Sequence, residues 1–162
     1  MTDLLPLLQE FHREKLSALL QHQAGARLVG QYDVNNTYQY IVNREDAQLS
    51  WVAKAIMELG GTIPADPGEP KRPAVGKAAE ATHASIDEDA RGAQAFVDRW
   101  RPRIDEMANA RHAKMLRVIL GEVLEQKRFF EQALAGRTDL LGRRGESLGP
   151  SHGTVLSARW IE

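Results

Sequence analysis

Apolar residues recur along this chain at intervals of three and four, the spacing of one helix face, and nowhere alternate long enough to predict a strand. Leu5, Leu8, Leu16 and Leu19 form a first stripe, with His12 in its gap. Gly25 and Gly30 bracket a turn. Tyr38, Ile41, Val42, Leu49, Val52, Ile56 and Leu59 form a second stripe, stopped by Gly60-Gly61. The second half repeats the plan. Ser85 and Glu88 have capping-box spacing, which predicts a helix from about Ile86, continued by Ala93, Phe96, Val97, Trp100 and Ile104. Pro102 either interrupts that helix or opens the next. The last stripe is His112, Met115, Leu116, Ile119, Val123, Phe129, Phe130 and Leu134, ending before Gly136.

Between the halves stand Pro64, Pro67, Pro70 and Pro73, with Gly60, Gly61 and Gly68. Proline at that density cannot continue a helix, so roughly residues 61–84 read as a linker. Residues 1–135 therefore predict an all-α, antiparallel four-helix bundle made of two helical hairpins joined by a Pro-rich crossover. Residues 136–162 hold five glycines and read as an extended C-terminal tail. Its end, with Trp160 and Ile161, gains nothing from water and is expected to dock on the bundle or on a partner subunit.

Composition narrows the function. The 162 residues suit one domain with one sizeable core. Twenty-one basic residues against 22 acidic ones leave no electrostatic footprint for nucleic acid or an anionic membrane. The absence of cysteine excludes disulfides, thiolate zinc sites, iron–sulfur clusters and cysteine nucleophiles. Leu4, Leu5, Leu7 and Leu8 give way at once to Gln9 and Glu10, too short a run for a signal peptide or membrane span, so a cytoplasmic protein is expected.

The informative anomaly is charge on apolar faces. His12, Glu45 and Glu122 each sit within a stripe that otherwise reads as core, and Gln48 and Glu125 stand one turn beyond the two glutamates. Buried carboxylates are paired, protonated or bound to metal. The stretch Glu45-Asp46-Ala47-Gln48-Leu49-Ser50-Trp51, running on to Glu58-Leu59-Gly60-Gly61, resembles the second helix of rubrerythrin and other ferritin-like proteins. That family carries Glu-x-x-His here, followed three residues later by a bulky apolar residue. Gln48 replaces the histidine, and in the matching Glu122-Val123-Leu124-Glu125 the histidine position holds Glu125.

The resemblance implies a ferritin-like bundle with carboxylate-bridged metal in its core, iron or manganese, serving storage or oxidoreductase chemistry in a homodimer. A hairpin register places His12 opposite Glu45 and Asp89 opposite Glu122. The implied metal set is thus His12, Glu45, Gln48, Asp89, Glu122 and Glu125. The residues leave a second reading open: a metal-free bundle that oligomerises or docks partners. Its carboxylates would bond to His12, Tyr38, Arg44 or water, or be neutralised by Arg111, Arg117 and Arg128.

Overall fold

The computed structural model describes residues 3–72, 78–137 and 139–141. They form four helices: α1 (Leu4–Ala26), α2 (Tyr32–Glu58), α3 (Ala78–Asp105) and α4 (Ala110–Leu134), with no strand among the described residues. The expected all-α four-helix bundle is what the chain forms.

Local chemistry sets most of the helix ends. The side chains of Gln31 and Asn109 cap α2 and α4 by accepting from the backbone N–H groups of Val34 (2.7 Å) and His112 (3.0 Å). Gly60 (φ 75°) and Gly136 (φ 89°) take the left-handed conformation that closes α2 and α4. The N–H groups of Gly60 and Gly61 turn back to Met57 and Ile56, and those of Gly136 and Arg137 to Ala133 and Gln132. Two expectations need correction. Helix α3 starts at Ala78, well before Ile86, so Ser85 and Glu88 lie inside it rather than at its cap. Alanine-rich 78–84 is strongly helix-forming, and Thr82 fastens it by donating to the carbonyl of Leu28 (2.8 Å). Pro102 neither stops nor opens a helix, since α3 runs on to Asp105.

α1 packs on α2 and α3 on α4, while α1–α3 and α2–α4 form the two remaining seams. Helix directions follow from cross-seam contacts. Glu10 meets Arg103 while, further along α1, the Gly25 backbone approaches Ser85 and Asp89. Tyr40 meets Phe129 edge to face while Arg44 reaches Glu122. All four neighbouring pairs are antiparallel, an up-down-down-up order that requires the one long crossover. The crossover travels the length of α1: Gln9 donates to the Thr62 carbonyl (2.9 Å), Glu69 pairs with Arg27 (2.6 Å), and Arg72 reaches Gln21 (3.1 Å).

The core falls into layers. One end is filled by Leu8, Phe11, Val52, Ile56, Val97, Trp100, Ile104 and Leu116, the other by Val29, Tyr38, Ile41, Ile86, Phe129 and Phe130. Leu140, at the start of the tail, packs into the second layer. The remaining tail from residue 142, including Trp160 and Ile161, lies outside the described residues. Among the described residues no helix is long and apolar enough to cross a membrane.

Candidate functional site: a charged belt across the bundle interior

Between the two apolar layers the helices bury a set of charged and amide side chains. Glu45 on α2 is wholly shielded from solvent, as is Gln48 one turn on. Two α1 side chains converge on Glu45: the Lys15 ammonium at 2.9 Å and the His22 imidazole through Nδ1. Burial by itself raises the Glu45 carboxyl pKa, but His22 and Lys15 outweigh it and hold the group below its ordinary value. For His22 burial lowers the pKa, and Glu45, with help from Asp89, more than reverses it. The cluster is a lysine and a histidine converging on one carboxylate.

A second cluster centres on Asp89 of α3, which is 3% exposed. Arg72 leaves the crossover to meet it through both terminal nitrogens, and also donates to Ser85 Oγ (2.5 Å). From α2 the Tyr38 hydroxyl donates to Asp89 Oδ2 (2.5 Å). Burial first, then the Asp89 charge, keeps that phenol protonated by raising its pKa well above the ordinary value. Room for Arg72 depends on Gly25: a Cβ there would come within 2.7 Å of Arg72 Nη1 and 3.0 Å of Asp89 Oδ2. A glycine inside a helix costs about 1 kcal/mol relative to alanine, and here it admits the guanidinium.

The third cluster is Glu122 on α4, partly exposed, which accepts from Arg44 (2.5 Å) and from the Gln48 amide. Arg44 was foreseen as a carboxylate partner. Arg117 instead pairs with Asp105 at 3.3 Å.

Of the six residues expected to share a metal, Gln48 and Glu122 bond to each other, Glu45 and Asp89 belong to separate ion-paired clusters, and His12 and Glu125 join none of them. His12 is buried, its Nδ1 has no hydrogen-bond partner among the described residues, and burial lowers its pKa. Glu125 is exposed, while its neighbour Gln126 is buried. Residues three apart on a helix differ by 60° in direction, and on α4 that rotation carries Glu125 out of the core. Lys15, His22 and Arg72 were not expected in the site. Metal ions of the iron and manganese type need several carboxylate or imidazole donors turned on one point. Here each interior carboxylate already faces a protein cation, and among the described residues no group of three or more His, Asp or Glu could hold a metal ion. The donor set as arranged does not fit one.

The His22–Glu45 pair has a pH signature. The His22 pKa is raised above 6.5, so its contribution to stability is complete below pH 6.5 and is lost as pH rises through the folded value. Glu45 acts oppositely: its pKa is lowered from 4.5, so its contribution holds above pH 4.5 and is lost as pH falls through the folded value. His12, lowered by burial, adds a gain in stability as pH rises toward 6.5. Subtracting the urea-unfolding profile of His22→Asn from that of the wild type removes the His12 contribution. The difference is expected to be largest between pH 4.5 and 6.5 and to shrink above 6.5. A difference that does not shrink as pH rises above 6.5 would mean that the fold does not favour protonated His22.

No protein-family model matches the chain, and neither does any curated protein or solved structure.

Proposed function

We propose that this chain is a metal-independent helical module that docks partners, a second copy of itself first, through the outer face of α2 and α4. The observation that carries the reading is the neutralisation of the interior carboxylates by the chain's own cations: Lys15 and His22 on Glu45, Arg72 on Asp89, Arg44 on Glu122. A site of that kind holds helices together and leaves little for an ion to bind. The outer face supplies the second support. Tyr40 and Trp51 lie three helical turns apart on one side of α2, 40% and 37% exposed, and Arg44 between them lies over the Trp51 ring at 5.9 Å. Val118, 48% exposed, lies one turn from Glu122 on the adjoining helix. Tyrosine, tryptophan and arginine grouped in this way are the residues that most often anchor interfaces.

One experiment weighs this against the iron or manganese reading, which draws support from the single long crossover that ferritin-like folds share. Untagged protein is exposed to excess iron and manganese, freed of loose metal, and examined by elemental analysis and sedimentation equilibrium. The expected result is a dimer without stoichiometric metal, with association weakened about 30-fold or more by Trp51→Glu at unchanged helicity. Retention of one or two equivalents of metal would overturn the reading in favour of a ferritin-like storage or oxidoreductase centre. A monomeric wild-type protein would overturn self-association.

A further inference from the structure

Beside the charged belt, between α1, α3 and α4, lies a cavity of about 240 Å³, bounded also by Arg72 of the crossover. Its apolar wall is Ala18, Ala93, Phe96 and Val123. Exposed Gly92 and Glu88 lie at its mouth, and a Cβ added at Gly92 would meet no atom within 4 Å. Two polar groups in this wall have unspent hydrogen-bonding capacity. Among the described residues Lys15, 1% exposed, bonds to Glu45 alone, although an ammonium carries three N–H donors. Gln126 is 3% exposed, and its Oε1 has no partner among the described residues.

Lys15 and Arg72 are buried against two buried carboxylates, Glu45 and Asp89, with His22 beside Glu45, while Glu88 of the lining is solvated. The N–H donors that Lys15 leaves unused call for an acceptor, and a charged acceptor makes the shorter, stronger hydrogen bond with an ammonium. Size sets the rest: a cavity of about 150 Å³ accepts benzene, so this one has room for a single ring and a small polar group.

We propose that this cavity is a binding site for a small organic monocarboxylate, its carboxylate on the free N–H donors of Lys15 and its apolar body against Phe96, Ala93 and Val123. Gln126 Oε1 accepts from any hydroxyl or amide the ligand carries. The site goes beyond the docking function and does not depend on it.

Benzoate is the probe, titrated into the full chain in the presence of a chelator and followed by calorimetry and thermal unfolding. Benzyl alcohol and benzylamine, of nearly the same shape, serve as the neutral and cationic comparisons. Benzoate is expected to bind and to raise the melting temperature with concentration, with benzyl alcohol weaker by about tenfold or more and benzylamine not binding. Gly92→Leu, which fills the mouth without a backbone clash, is expected to abolish binding in a protein that still unfolds cooperatively. Ala18→Leu, which fills the cavity from the α1 wall, is expected to do the same. Failure of millimolar benzoate to bind the folded wild type would overturn the proposal. Equal binding of all three probes would overturn the carboxylate assignment, and binding that survives both variants would place the ligand elsewhere.

Discussion

Replacing Glu45 by leucine is expected to destabilise the bundle by about 3–5 kcal/mol, the cost of stranding buried charge. The substitution leaves Lys15 and His22 facing each other at 1% and 7% side-chain exposure with no anion between them. His22 can lose its proton. Lys15 has only the face of Phe96, at 5.7 Å, to lean on. The loss is read from urea unfolding at neutral pH. Adding Lys15→Met removes the stranded ammonium, and the double variant is expected to recover most of the loss, because an ion pair replaced by apolar groups of similar volume is often no less stable. If the double variant is as unstable as Glu45→Leu, the damage is one of packing and the Lys15–Glu45 pair is not its cause.

The second large effect is expected at Asp89. Asp89→Ala takes the partner from Arg72 and from the Tyr38 hydroxyl at once. Tyr38 is 1% exposed and cannot reach water, whereas Arg72 stands on a non-helical segment and can swing out. The cost should therefore sit near the lower end of the range for a broken buried pair, about 3 kcal/mol. Its second readout is local. Freed of its anchor, the crossover loses its hold at the far end of α1, and proteolytic cleavage within residues 61–72 is expected to accelerate more than global unfolding accounts for. Arg72→Ala should reproduce the faster cleavage at a smaller cost in stability. Cleavage unchanged in both variants would show that Arg72 does not fasten the crossover.

Much of this architecture was legible in the sequence because helices advertise themselves by period and by their stops. Gly60 and Gly136 end α2 and α4 where the stripes end. Glu45 and His12 are buried, as their places on apolar stripes required, whereas Glu122, also on a stripe, is partly exposed. The partners were harder to see. Lys15 lies four residues after Phe11 and four before Leu19, the same placement that exposed Glu45 between Ile41 and Leu49. Read together, the two would have predicted an internal ion pair, but a lysine is ordinarily assumed to snorkel to the surface. Gly25 was read as bracketing the turn, yet it lies within α1 and serves the approach of Arg72. Nothing in the sequence marks Arg72 itself. Irregular segments carry no periodicity, so the face such a residue turns to the core is settled only by where the crossover runs.

The belt also governs how the two halves of the molecule meet. The Lys15–Glu45–His22 cluster is completed inside the first hairpin, whereas Tyr38 with Asp89 and Arg44 and Gln48 with Glu122 join one hairpin to the other. Apolar ridges fit one another nearly as well after a slip of one turn, about 5.4 Å. These pairs do not. A slipped docking would bury Asp89 and Tyr38 without each other and withdraw Glu122 from both its donors. The charged belt thus acts as an alignment key, making one register between two otherwise interchangeable greasy surfaces the native one, much as a single polar residue fixes the register of a coiled coil.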